Sequence, residues 1–176
     1  MATKLKLFWI QPNGASALAT VETIGWYGIR VGITLDNPED FTDGTSGICS
    51  CEIKGETDDF EVYATEEAFY NADLGCASRS LFPLGLITPD RTAEDSAQCS
   101  LIEFAGEVIQ VTRLRPDEDE SPNYRVLVDT LDMVVDLGIR YDGAIQPGYY
   151  IHCATLLHGA IQMEEPIPLD ELWKMP

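Results

Sequence analysis

The sequence predicts a mainly β fold, an antiparallel sandwich or barrel with one or two short helices. In several segments apolar and polar side chains alternate at every second position, and few segments show the spacing of an amphipathic helix. Polar clusters rich in proline, glycine and acidic residues separate these segments, as turns do. Together, the two features predict short strands joined by turns.

Four strands are expected in the first half of the chain. Residues 4–10 alternate over a short span before a proline, and residues 26–35 give a longer alternation with one clearly apolar face. Residues 47–55 place two cysteines on the face shared with Ile53. Residues 60–64 continue the alternation after an acidic turn. Each segment therefore presents one face to a common core.

The second half repeats this pattern. Residues 107–115 and 124–137 are rich in β-forming residues, and the acidic, proline-bounded loop 116–123 joins them. This arrangement predicts a hairpin with a long acidic tip. Residues 149–157 are expected to be the last strand.

Two short helices are expected. Thr65 is followed by two glutamates, which predicts an N-cap for a helix over residues 68–72. Residues 168–175 can form a terminal helix with Leu169, Leu172 and Trp173 on one face. Because so many large apolar groups close the chain, we expect this helix to dock onto the core with Trp173 buried.

The length of 176 residues favours a single mainly β domain over residues 1–176. The polar stretch 89–97 is a possible linker. The alternative is therefore a pair of β subdomains, residues 1–88 and 98–176. The tripeptide Gly-Ile-Arg occurs at positions 28 and 138, but three shared residues predict no repeat.

The charge balance excludes several classes of partner. Thirty acidic residues stand against 11 Lys and Arg, which gives a formal net charge of −19. Nucleic-acid binding needs cations that neutralise phosphates, so neither nucleic acid nor an anionic membrane is an expected partner. The start of the chain lacks the apolar run of a secretory signal, and five cysteines are an odd number. We therefore expect a soluble cytoplasmic protein with reduced thiols.

The acidic residues are concentrated between positions 36 and 67, where Lys54 is the single basic residue. A basic protein surface would be attracted to this span. The strand predicted at residues 26–35 places an aromatic ring and a guanidinium on its outward face, separated by glycines, which suits a partner. The predicted partner-binding residues are Asp36, Glu39, Asp40, Asp43, Asp58, Asp59, Glu61, Trp26 and Arg30.

Neither a metal site nor a catalytic site is predicted. Cys49 and Cys51 lack the second cysteine pair that zinc needs, and the expected strand separates His152 from His158 by about 20 Å. The serine hydrolase, phosphate-loop, dinucleotide and zincin motifs do not occur. The acidic loop 36–44 offers oxygen ligands without the order of the helix-loop-helix calcium motif.

These observations predict a non-enzymatic, acidic binding protein, such as an inhibitor, immunity or anti-defence protein, that acts on a protein partner with a basic surface and needs no cofactor. Two alternatives stay open. One is an enzyme of unrecognised type that uses Cys and His, which a cysteine beside a histidine in a cleft would favour. The other is a carboxylate-rich calcium-binding protein, which carboxylates converging on one loop would favour.

Overall fold

The computed structural model describes residues 1–13, 16–42, 44–84, 100–115 and 121–175. Within these residues the chain is mainly β, as predicted, with two short α-helices. The elements in chain order are β1 Thr3–Asn13, β2 Ser16–Thr23, β3 Arg30–Leu35, a 3-10 turn Pro38–Asp40, β4 Gly47–Cys51, β5 Ile53–Thr57, β6 Phe60–Tyr63, α1 Glu66–Asn71, β7 Ser80–Pro83, β8 Leu101–Arg113, β9 Tyr124–Thr130, β10 Met133–Ile139, β11 Tyr150–Leu156, β12 His158–Gly159, β13 Ile161–Pro166 and α2 Leu169–Leu172.

The strands form one mixed sheet. Its order is β13-β4-β1-β2-β3-β12-β5-β10-β9-β8-β11-β6, and β7 lies beside β8. Most pairs are antiparallel as predicted, but β12 runs parallel to β3 and β5 runs parallel to β10. The path of described strands ends at β13 and β6 without closing, so the sandwich or barrel stays a prediction.

The two halves of the sheet correspond strand by strand. β1, β2 and β3 form an antiparallel meander, and β4 pairs with the outer side of β1. β8, β9 and β10 form the same meander, and β11 pairs with β8. The structure therefore contains an internal repeat that the shared tripeptide does not reveal, because the repeat lies in the pairing pattern.

Each half of the sheet is completed by two strands that follow the other half along the chain. β5 and β6 follow β4 but pair with β10 and β11, whereas β12 and β13 follow β11 but pair with β3 and β4. One residue, Glu52 or Leu157, separates each of these segments from the strand before it. So short a connection cannot form a hairpin, so the chain continues into the other half. There the first strand of each segment pairs in parallel and the second strand pairs antiparallel. The two crossing segments meet where His158 pairs with Lys54.

A short helix ends each exchanged segment. α1 follows β6 and α2 follows β13, and the fourth residue of each helix, Phe69 or Leu172, is buried. The cap predicted for α1 is confirmed, since the Thr65 hydroxyl accepts a hydrogen bond from the Ala68 N–H at 3.1 Å. α2 docks on the sheet as predicted, but Trp173 is 51% exposed, so its predicted burial is wrong. The ring is covered on part of its surface only, by Phe8 at 4.6 Å between ring centres and by the Arg30 guanidinium.

One hydrophobic core runs through both halves, from Leu5 in β1 to Ile161 in β13. A smaller cluster joins Phe8, Ile48 and Leu172 under α2. The domain predictions stay predictions, because the proposed linker 89–97 lies outside the described residues. In the described part of the chain, no helix combines the length and apolar character needed to cross a membrane.

Several strand boundaries differ from the prediction. The strand expected at residues 47–55 is divided at Glu52 into β4 and β5, which lie in different halves of the sheet. The strand expected at residues 26–35 begins at Arg30, and residues 124–137 are two strands divided at Leu131 and Asp132, a turn that contains neither Gly nor Pro. The strand expected to be last is followed by β12 and β13. β2 and β7 were not predicted. In β2 almost every side chain is buried, so polar and apolar residues do not alternate along it.

Candidate functional site

A concave surface lies where the segment β5–β6 packs against β11. Five carboxylates line two adjoining cavities there, and we call this surface the acidic groove: Glu56, Asp58, Asp59, Glu61 and Glu103. Three of the five were predicted from the sequence. The cavities adjoin because Asp59 and Ala154 line both of them.

A turn between β5 and β6 points the first carboxylates into the groove. The Thr57 hydroxyl donates to the backbone oxygen of Ala154 at 2.8 Å and accepts from the Asp59 N–H at 3.0 Å. Asp58 and Asp59 are exposed. One hydroxyl therefore fixes the turn against β11 and leaves both carboxylates facing solvent.

The larger cavity has a volume of about 480 Å³ and lies beside this turn. Glu56, Asp58 and Asp59 supply its negative charge, and Arg140 is the cation in its lining. Arg125 reaches toward it as well, with a nitrogen 3.9 Å from the Glu56 carboxylate. This cavity is open to solvent, and its charged residues share the lining with apolar ones such as Leu101, Pro122 and Leu156. Such a lining suits a side chain that combines a charged end with an apolar stem.

The smaller cavity, of about 310 Å³, contains a histidine between two glutamates. The Nε2 atom of His152 lies 2.9 Å from the Glu103 carboxylate, and its Nδ1 atom lies 3.9 Å from Glu61. The Tyr63 hydroxyl donates a hydrogen bond to the Glu61 carboxylate at 2.6 Å. Burial, followed by this hydrogen bond to Glu61, raises the pKa of Tyr63 to about 12. The tyrosine therefore stays a neutral donor that orients Glu61.

His152 pairs across the sheet with Glu61 in β6 and with Ala105 in β8. Three strands that are distant along the chain therefore bring the histidine and the two glutamates together.

The other predicted acids lie between β3 and β4. Asp36 pairs with the His158 ring at 3.0 Å and with Lys54 at 3.7 Å, so its charge is partly compensated. Glu39 and Asp40 are exposed in the 3-10 turn. The predicted Asp43 lies outside the described residues.

Arg30 lies in a different environment from the one expected. It does not share an outward strand face with Trp26, which belongs to the connection between β2 and β3. The guanidinium binds the Glu22 carboxylate at 2.7 Å and lies 4.4 Å and 4.6 Å from the ring centres of Phe8 and Trp173. These contacts hold α2 against the sheet. Trp26 is 92% exposed.

The buried cysteines are poorly suited to nucleophilic catalysis. Burial raises the pKa values of Cys49 and Cys51 to about 12, and it also raises the pKa of Cys153. Cys153 follows His152 in β11, so the two side chains point to opposite faces of the sheet. Cys153 is 2% exposed, which makes a thiolate unfavourable there.

Alkylation of the folded protein is expected to distinguish the buried cysteines from Cys76 by their reaction rates. Cys49, Cys51 and Cys153 should react with iodoacetamide at pH 8 at least about a hundredfold more slowly than Cys76, because they are buried and protonated. Peptide mass spectrometry at timed intervals measures each rate, and the denatured protein serves as the control. Equal labelling of Cys153 and Cys76 would favour the Cys/His enzyme.

The calcium alternative receives no support from the described residues. Among them, no group of three or more His, Cys, Asp or Glu side chains is arranged to hold a metal ion.

Sequence reasoning placed Asp58, Asp59 and Glu61 together but did not connect Glu103 or His152 with them. Those residues join the groove through the pairing of β11 with β8 and β6, strands distant along the chain. No local pattern marks such a pairing. A search of known protein families, of characterised proteins and of solved structures found no match to this chain.

Proposed function

We propose that this protein binds a protein partner with a basic surface through the acidic groove and acts by binding rather than by catalysis. The observation that carries the proposal is the convergence of Asp58, Asp59 and Glu61 with Glu103 on two adjoining cavities. Lysine and arginine side chains of a partner fit such cavities, because they bring positive charge on a slender apolar stem.

The net charge supports the same proposal. A formal charge of −19 attracts a basic protein over distances of about a Debye length and accelerates its encounter with the groove.

Affinity capture from the native lysate tests the proposal. The bait is compared with two variants of equal net charge, Asp58→Lys with Asp59→Lys in the groove and Glu165→Lys with Glu171→Lys elsewhere on the exposed surface. We expect the wild type and the second variant to capture the same basic protein at low salt and to release it at high salt, whereas the groove variant captures less of it. Equal capture by both variants, or no captured protein, would contradict the proposal.

A further inference from the structure

The smaller cavity of the acidic groove contains a histidine whose two ring nitrogens face different carboxylates. The Nε2 atom of His152 lies 2.9 Å from the Glu103 carboxylate, and the Nδ1 atom lies 3.9 Å from the Glu61 carboxylate. The His152 side chain is 19% exposed, whereas those of Glu61 and Glu103 are 59% and 39% exposed. The ring is therefore mostly covered, and both carboxylates remain accessible to a partner.

Three strands fix this arrangement. Glu61 in β6 lies directly opposite His152 in β11. Glu103 in β8 lies opposite Ala154, two residues further along β11, so its contact with the ring is diagonal. Because strand pairing fixes the three backbone positions, a change of charge on the ring acts directly on both carboxylates.

The neutral form of His152 leaves Glu61 available to a partner. An ionised carboxylate only accepts hydrogen bonds, so the single N–H of the neutral ring belongs on Nε2, where it donates to Glu103. Nδ1 is then an acceptor and faces the Glu61 carboxylate, a second acceptor, without bonding to it. Glu61 accepts a hydrogen bond from Tyr63 and has further lone pairs. An ammonium or guanidinium group of a partner can donate to these lone pairs.

The protonated form of His152 has the opposite effect. Both ring nitrogens then carry hydrogens, so Nδ1 donates toward Glu61 while Nε2 still donates to Glu103. The ring becomes a cation between the two glutamates. A lysine or arginine of the partner would have to displace these ion pairs and would be repelled by the charge of the ring. Histidine is the side chain that ordinarily changes its charge between pH 5 and 8.

The other groups around the ring do not supply a second cation of this kind. Besides the two glutamates, the surrounding strands and turn contribute Asp59, Tyr63, Tyr150 and Glu107 with its bound Arg79. Both tyrosines stay neutral between pH 5 and 8, because burial raises their pKa values, that of Tyr63 to about 12. Arg79 is already paired with Glu107 at 2.6 Å. Among the described residues that line the cavity, His152 is the one group that can change from neutral to cationic.

We propose that His152 makes the binding of the basic partner by the acidic groove sensitive to pH. The neutral histidine leaves Glu61 and Glu103 available to the basic side chains of the partner, and the protonated histidine engages both glutamates in ion pairs within the groove. Mildly acidic pH therefore releases the partner. This regulation rests on the proposed function, and the variants below distinguish a failure of one from a failure of the other.

The test measures the affinity of the full chain for the partner that the capture experiment identifies. Isothermal titration calorimetry is carried out at pH 7.5 and pH 5.5 at equal ionic strength, and circular dichroism checks that the fold is retained at both. The wild type is expected to bind at least about tenfold more weakly at pH 5.5, because charge-assisted hydrogen bonds within the groove compete with the partner there.

His152→Gln is the variant that removes the switch. Glutamine keeps an N–H donor for Glu103 but gains no charge, so its affinities at the two pH values should differ by less than about threefold. His158→Gln is the matched control, because this histidine pairs with Asp36 outside the groove, and it should keep the tenfold difference. Equal pH dependence of the wild type and His152→Gln would overturn the inference and leave the proposed function standing.

A permanent charge at the same position tests the mechanism. His152→Lys should bind the partner at least about tenfold more weakly at pH 7.5 than Gln162→Lys, although both variants change the net charge equally. Gln162 is exposed in β13, outside the groove. Equal affinities of the two variants would show that charge at His152 does not control the groove, and the inference would be wrong.

The free protein offers a measurement that needs no partner. Nitrogen-15 NMR of the His152 ring should place the hydrogen on Nε2 at pH 7.5 and hydrogens on both nitrogens at pH 5.5. A ring that stays neutral at pH 5.5, or one that is already protonated at pH 7.5, would contradict the inference whatever the partner does. If the capture experiment yields no partner, the proposed function fails and this regulation fails with it.

Discussion

Replacing Leu172 by alanine is expected to lower the free energy of unfolding by about 2–5 kcal/mol. The Leu172 side chain is fully buried in the small cluster with Phe8 and Ile48, and the substitution would leave a cavity between α2 and the sheet. Urea unfolding followed by circular dichroism gives the difference from the wild type.

The matched control is Leu169→Ala on the same helix. Leu169 is 39% exposed, so its loss should cost about 1 kcal/mol or less. If both variants keep the stability of the wild type while losing self-association or partner binding, α2 is a hook for another molecule rather than part of the packed fold.

Replacing Phe69 by alanine is expected to destabilise the protein by about 3–5 kcal/mol. Phe69 occupies the position in α1 that Leu172 occupies in α2, and its ring lies 5.3 Å from Tyr63 and 6.3 Å from Tyr150 between ring centres. Removing the ring would leave a cavity under α1 and weaken the packing of β6, the strand that carries Glu61.

Phe82→Ala is the control for this measurement, because the Phe82 ring is 47% exposed and its removal creates no buried cavity. Chemical unfolding of both variants under identical conditions measures the difference. Equal stability of Phe69→Ala and Phe82→Ala would contradict the packing of α1 and, with it, the structural equivalence of the two helices.

Local patterns of the sequence predicted much of the secondary structure. The strand β1 and the Thr65 cap of α1 follow from neighbouring residues, and both are present in the structure. The alternation predicted for β1 is only partly correct, because Lys6 and Phe8 on its second face are buried as well. β2 was not predicted because it is buried on both faces, so its residues do not alternate in polarity. The turn between β9 and β10 was not predicted because no glycine marks it, although Asp132 adopts a positive φ there.

The exchange of strands between the halves lay beyond sequence reasoning for a different reason. It depends on the parallel pairing of β5 with β10 and of β12 with β3, which join residues far apart along the chain. Pairing at such distance leaves no periodic signal in either strand. The complete acidic groove could not be predicted for the same reason, since His152 meets Glu61 only through the pairing of β11 with β6. The acids of the turn were predictable because they lie side by side in the sequence.

Stopped-flow measurement of the association rate with the captured partner, over a series of salt concentrations, tests whether the acidic groove is the binding site. We expect the rate of Asp58→Lys with Asp59→Lys to be about tenfold or more below the wild-type rate at low salt, with a flatter salt dependence. The control, Glu165→Lys with Glu171→Lys, carries the same net charge and should stay much closer to the wild type. Equal rates and equal salt slopes for the two variants would show that net charge alone governs association, and this would contradict the assignment of the acidic groove as the binding site.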